Sequence, residues 1–249
     1  MNSRITQRKR RLGIYPKPWS KMPTAKYHKH PYLSSTGVKK LLCLSDDSQS
    51  DAFVEGTLVH EAIETYLLTD RVELARFNGL TPAKKVRCVN CVNQAVKYIG
   101  AKRYNIVEGS LFASREDVLA GNDHELLTLM EMAGVEGVRI QCDAYDNGVL
   151  TDWKTTSVKS PYEMNDAVKK YGYLISLAFY IRVMMVMGIK VEQCELVFLR
   201  KYGPTPVILT YSAFKVREMA SHIIRHHLDL MPETNETHIK MRGIYPTLN

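Results

Sequence analysis

Gln141-Cys142-Asp143-Ala144-Tyr145-Asp146-Asn147-Gly148-Val149-Leu150-Thr151-Asp152-Trp153-Lys154 places an Asn-Gly pair between two alternating runs. Such a pair is the strongest short-range signal for a two-residue type I′ hairpin turn, because both central positions need positive φ. With Asn147 and Gly148 as the loop, Asp146 faces Val149, and counting back along both strands pairs Asp143 with Asp152. The two carboxylates then stand opposite each other, their Cβ atoms ~4.5–5.5 Å apart on one face. The period of two puts Lys154 on that face too, while Val138, Ile140, Cys142, Thr151 and Trp153 point away.

Like charges directly opposite each other destabilise a strand pair unless something neutralises them, and a hard divalent cation with oxygen ligands does so. The pattern therefore predicts a metal site with Asp143 and Asp152 as ligands and Lys154 beside them. Mg²⁺ held by carboxylates and water polarises a phosphoryl oxygen, lowers the pKa of an attacking water and stabilises charge at the reacting phosphorus. The chemistry indicated is phosphodiester hydrolysis. Spacing alone leaves open a solvent-facing hairpin in which Lys154 merely pairs with one aspartate.

Outward from the hairpin, the order of elements predicts an α/β fold, a central mixed β-sheet flanked by helices. Ser34-Ser35-Thr36-Gly37 supplies caps for a helix over 38–44, and apolar residues at helical spacing predict a second over 54–68. Thr81-Pro82 opens a third, which Gly100 stops. Strands are expected over 105–112, 137–145, 149–155, 194–200 and 207–211, with a polar, partly helical insertion over 117–132. One long helix fits 162–187, ended by Gly188, and a last one fits 213–230.

The chain has 249 residues, 45% hydrophobic and 24% charged, a balance that supports a full-sized core and excludes a disordered chain. No run of about 18 apolar residues occurs, so a membrane span is not expected. The N-terminus has no apolar stretch of the secretory kind, so the five cysteines are read as thiols. Charge is uneven. Residues 1–40 carry eleven Lys and Arg and no acid, whereas the whole chain is +8, so residues 41–249 are net −3. With Pro16, Pro18, Pro23 and Pro31, residues 1–31 read as a basic extended arm that attracts polyanions, and residues 32–249 as a single domain. A solvated tail or an organellar import signal is compatible with the same charge. Cys88-Val89-Asn90-Cys91 has zinc-like spacing but no second pair, and reads as structural thiols in a helix. His222, His226 and His227 close the last helix without an accompanying HExxH carboxylate.

Asp143 followed by Asp152-Trp153-Lys154 on a strand hairpin before a long helix resembles the PD-(D/E)XK nuclease superfamily. Gly56-Thr57-Leu58-Val59-His60-Glu61-Ala62-Ile63-Glu64 is similar to the Gly-Thr-x-x-His-x-x-x-Glu helix of its RecB-like and RecE-like branches. Gly172-Tyr173-Leu174-Ile175-Ser176-Leu177-Ala178-Phe179-Tyr180 resembles the Gly-Tyr-x-x-Gln-x-Ala-x-Tyr helix after the catalytic lysine, with Ser176 where Gln is usual. Tyr32-Leu33-Ser34-Ser35 resembles the start of the RecE (exonuclease VIII) group. The matches span residues 32–180 in the family's order.

The resemblance implies a restriction-endonuclease-like core and a Mg²⁺-dependent deoxyribonuclease, with Mn²⁺ as a substitute. It implies Asp143, Asp152 and the Trp153 backbone carbonyl as ligands, His60 completing the shell, and Glu64 orienting His60. Lys154 would orient the attacking water or stabilise the transition state, with Tyr173, Tyr180 and Ser176 in support. A further carboxylate is expected before the hairpin: Glu108 is preferred, with Glu116 and Glu136 as alternatives. Ser34, Ser35 and Thr155, with Arg8, Lys9, Arg10 and Arg11 of the arm, are assigned to DNA. The implied activity is double-strand DNA end processing by an exonuclease in phage-type recombination, in the host cytoplasm, with a homo-oligomeric ring and a single-strand annealing protein as partners. An endonuclease, a single-strand exonuclease of the mitochondrial genome-maintenance type, and a non-catalytic DNA-binding protein retaining the fold are the alternatives. A sugar-phosphate or nucleotide enzyme would call for a Gly-rich phosphate loop, which the sequence lacks. Iron–sulfur relatives carry three downstream cysteines, and none follows Cys194 here.

Overall fold

The computed structural model describes residues 17–42, 44, 51–100 and 106–230. In chain order the elements are α1 (Thr24–Lys29), α2 (Ser35–Leu41), α3 (Asp51–Thr69), a 3₁₀ turn (Leu74–Phe77), α4 (Pro82–Ile99), β1 (Ile106–Ser114), α5 (Arg115–Ala120) and α6 (His124–Ala133). Then come β2 (Gly137–Asp146), β3 (Val149–Thr156), α7 (Pro161–Lys170), α8 (Tyr173–Val186), β4 (Gln193–Arg200), β5 (Val207–Ser212) and α9 (Ala213–Leu230). The five strands form one mixed sheet in the order β1-β2-β3-β4-β5. β3 and β4 run parallel, and the other neighbours antiparallel. A parallel pair requires a crossover, which α7 and α8 supply. The α/β class and the flanked mixed sheet expected from the sequence are present. No helix among the described residues is long and apolar enough to cross a membrane.

Local signals account for most boundaries. Asn147 and Gly148 have φ of 43° and 87°, the positive values a type I′ turn demands, and Asp146 pairs with Val149 as counted. Ser34 caps α2 by accepting the Gly37 N–H at 3.3 Å. The polar insertion folds as α5, opened by a Ser114/Asp117 capping box, and α6, closed by left-handed Gly134.

Two expectations are corrected by packing. The helix foreseen over 162–187 is two helices, because Gly172 adopts a left-handed φ of 58° between α7 and α8. The arm foreseen over 1–31 is not extended from Lys17 onward. Ser20 and Ser110 on β1 exchange backbone hydrogen bonds of 3.0 and 2.8 Å, α1 follows, and Trp19 and Tyr27 are buried. Large aromatics gain enough from burial to hold a proline-rich segment on the sheet. Arg8, Lys9, Arg10 and Arg11 lie outside the described residues.

The sheet is buried on both faces. On one, Val138, Ile140, Cys142, Leu150, Leu196 and Phe198 pack with Leu177, Ile181 and Met184 of α8. On the other, Trp153, Val197 and Leu199 pack with Val59 and Ile63 of α3 and Cys91 and Ala95 of α4. Cys88 and Cys91 lie inside α4, as foreseen, and are buried in this second core.

Candidate active site

The hairpin opens where its acids lie. The β2–β3 ladder runs from Asp146↔Val149 to Ala144↔Thr151, and the same register continued sets Asp143 against Asp152. The ladder ends there. Asp143 instead uses its own carboxylate to accept the Trp153 N–H at 2.8 Å. Alternation slips at this point, since Cys142 belongs to the first core and Ala144 to the second. The expectation that Val138, Ile140, Cys142, Thr151 and Trp153 all point the same way therefore fails: Trp153 enters the opposite core from Cys142. The two acids meet at a parted seam rather than as a flat cross-strand pair.

Around this seam the charges interlock. Lys154 Nζ lies 2.9 Å from Asp152 Oδ1 and 2.8 Å from Oδ2, and Asp152 is 5% exposed. His60 Nδ1, from α3, stands 3.5 Å from Asp143 Oδ1. Gly56, one turn before His60, lets α3 approach β3 closely, for a Cβ there would meet Thr155 Oγ1 at 3.2 Å, a tight contact that the hydroxyl would have to yield to. Burial works to raise the pKa of Asp143, but His60, Lys154 and the Trp153 N–H hold it down at about 2. Burial pushes Asp152 up, and the Asp143 charge adds to this while Lys154 opposes it. Burial disfavours charge on His60 and Lys154, yet the two aspartates keep both pKa values above their ordinary range.

Of the three candidates for a further carboxylate, Glu108 is the one that lines the cleft at this seam. Glu108 lies on β1 opposite Asp143 in the continued register, at a positive φ of 51°, and lines the same cleft. Burial, a hydrogen bond with Glu64 and the nearby charge of Asp143 push its pKa up to about 9, and Gln141 Nε2 donates to its Oε1 at 2.6 Å. Glu116 sits in the first turn of α5 and Glu136 ahead of β2, neither lining the cleft. Glu64 was expected to orient His60; its partners are Glu108 and Lys21 instead.

Asp143, Lys154, His60, Glu64 and Glu108 floor a cleft of about 950 Å³ between α2, α3, the hairpin and α8, whereas Asp152 is buried against Lys154 and does not line it. Ser34, Ser35, Trp153, Thr155, Tyr173 and Tyr180 line it; Ser176 is buried in α8 but does not. Lys154 lies 5.1 Å over the Tyr173 ring, and the Ser35 hydroxyl donates to the Tyr180 oxygen at 3.5 Å. Lys39, Lys40 and Gln141 also line the cleft and were not singled out from sequence. Gln141 was readable as the same-side neighbour of Asp143, and Lys39 as one turn beyond Ser35. Burial and Lys154 lower the pKa of Lys39.

Among the described residues, no three His, Cys, Asp or Glu side chains stand ready around a common ion position. The chemistry of the donors nevertheless fits a hard cation. The carboxylates of Asp143, Asp152, Glu108 and Glu64 crowd together, and the buried Asp152 Oδ2 touches Lys154 but receives no directed hydrogen bond.

No family model and no curated protein matches the chain. The fold is shared with a solved structure. A crystal structure of a candidate exonuclease from Eubacterium rectale superposes with a TM-score of 0.54 at 14% identity, over 90% of this chain and 87% of that one. The likeness is one of fold, the five-stranded mixed sheet with its flanking helices. The structure of SSO0001, at 14% identity over 81% of this chain and 89% of that one, gives a TM-score of 0.32, too low to bear on the fold.

Proposed function

We propose that this chain is a divalent-cation-dependent nuclease that hydrolyses phosphodiester bonds of DNA, acting on duplex ends as a RecE-like exonuclease. The observation that supports it is the convergence of Asp143 and Lys154, beside His60 and Glu108, on the floor of a lysine-edged cleft, with Asp152 buried directly behind Lys154 at the parted seam. The likeness to the Eubacterium rectale protein agrees with it at the level of fold.

Asp143 and Asp152, with Glu108, His60 and the Trp153 carbonyl, would hold Mg²⁺ or Mn²⁺. When bound, such an ion supplies Lewis acidity toward a phosphoryl oxygen and makes water a nucleophile near neutral pH. The chain's own groups do the rest. Lys154 stays protonated between its two acids and presents a fixed positive charge to a phosphoryl oxygen, with the Tyr173 ring holding its position. Lys39 and Lys40 neutralise strand phosphates along the wall, and the hydroxyls of Ser34, Ser35 and Thr155 fix the strand's register. Duplex DNA is then the partner. A ring of subunits, an annealing protein and a phage recombination role in the host cytoplasm belong to the same reading.

End-labelled linear and closed circular duplex DNA, each incubated with Mg²⁺ or with EDTA, test it. Mg²⁺-dependent loss of the linear form alone is the expected result. Cutting of circles would replace the exonuclease with an endonuclease, and binding without hydrolysis under either condition would leave a DNA-binding protein that retains the fold.

A further inference from the structure

Tyr171 and Tyr173 flank the break between α7 and α8. In an uninterrupted helix, residues two apart do not share a face, and their rings could not meet. The left-handed Gly172 changes this, bringing the two rings to a centroid separation of 5.7 Å at 31°. The result is a file of groups leading out of the cleft. Lys154 Nζ stands 5.1 Å from the Tyr173 ring, Tyr171 comes next, and Lys170 Nζ lies 5.4 Å from the Tyr171 ring. Tyr173 lines the cleft, whereas Tyr171 lies just beyond it and is 49% exposed. Lys39, on the cleft wall, donates to the Tyr171 carbonyl at 3.4 Å, and a Cβ on Gly172 would meet its Cδ at 3.2 Å.

A ring left half in water gains little by burial, and this one has the Lys170 ammonium beside it and Lys39 at its own backbone carbonyl. That combination suits a flat group attached to negative charge and is a poor match for an apolar partner. A nucleobase with its phosphate meets the description, since base–aromatic stacking tolerates any sequence and basic side chains track the backbone. We propose that Tyr171 stacks an unpaired nucleobase of the strand whose phosphodiester is presented to Lys154. The cleft then takes a strand with at least one unpaired nucleotide at that place, and a blunt duplex must fray to enter. The inference rests on the nuclease reading and specifies the state of the substrate it accepts.

The test uses the full chain in EDTA and a duplex with a short single-stranded end, 2-aminopurine being placed in turn at each unpaired position. At one position the wild type quenches the fluorescence. Tyr171→Phe does the same, while Tyr171→Ala loses the quenching and binds about 10-fold more weakly. An abasic site at that position lowers wild-type binding to the Tyr171→Ala level and costs the variant nothing further. Undiminished quenching by Tyr171→Ala, a Phe variant as weak as the Ala variant, or an abasic site equally costly to both proteins would overturn the proposal. Release of label from the same duplex with Mg²⁺ is read separately, so absent hydrolysis alongside intact quenching refutes the nuclease reading and not the stacking.

Discussion

Lys154→Met removes the ammonium and keeps most of the stem that packs toward Tyr173. At 2.8 Å the Lys154–Asp152 attraction is roughly 6 kcal/mol for an effective dielectric constant of about 20, and desolvation offsets much of it. Breaking a buried pair costs about 3–5 kcal/mol; with the Lys154 side chain 24% exposed, the lower end, ~3 kcal/mol, applies. In a chain of this size that lowers Tm by roughly 6–12 °C. The informative quantity is the response to Mg²⁺. In the wild type the ammonium competes with the ion for Asp152, whereas in the variant the ion takes over an uncompensated buried carboxylate. Stabilisation by a ligand grows as RT ln(1 + [L]/Kd), about 2.7 kcal/mol at a hundredfold excess over Kd, so tighter binding appears as a larger rise in Tm. Thermal melts at matched ionic strength, with and without Mg²⁺, therefore give a greater Mg²⁺-induced rise for Lys154→Met than for the wild type, although the variant is inactive on DNA. An equal or smaller rise would show that Asp152 does not hold the ion.

Glu55 is buried against Arg87 and Lys201, each at 2.8 Å, and although burial works to raise its pKa, the two cations hold it below the ordinary carboxylate value. Its contribution is complete above about pH 4.5 and is lost as pH falls through the lower folded-state value, so the Tm deficit of Glu55→Gln is full at pH 7 and shrinks in acid; a deficit independent of pH would contradict this. Gly56→Val puts a branched side chain where even a Cβ meets Thr155 Oγ1 at 3.2 Å, so α3 shifts, His60 moves off Asp143, and the Mg²⁺-induced rise in Tm falls; an unchanged rise would remove His60 from the site. Deleting residues 1–16 removes five basic residues, and the slope of log K for DNA against log salt drops by at most about 4.5. Deleting 1–31 additionally takes away buried Trp19 and Tyr27 and lowers Tm; equal melting of the two truncations would refute the packing of that segment.

Much of the fold was legible because its signals are local. Ser34 caps where a cap was expected, Thr81-Pro82 opens α4, and the Asn147-Gly148 turn sets the ends of β2 and β3. The break at Gly172 was not legible, for the apolar run continues across it and a single glycine within a helical pattern is tolerated. Nor was the docking of residues 17–31, in which proline and charge suggested an arm while two aromatics found places in a core assembled from later segments.

From sequence alone came the turn at Asn147 and Gly148 and, by counting, the register that brings Asp143 to Asp152, because a hairpin's pairing is set by its loop. Tertiary structure alone decided that the strands part at those acids, that Glu108 and not Glu116 or Glu136 joins them, and that Glu64 turns to Lys21 and Glu108 instead of His60. These outcomes depend on how β1, α3 and the N-terminal segment pack against the hairpin. Separations of tens of residues carry no period to count, so only the packing of distant surfaces, with the burial and charge that go with it, selects among side chains that the sequence leaves equivalent.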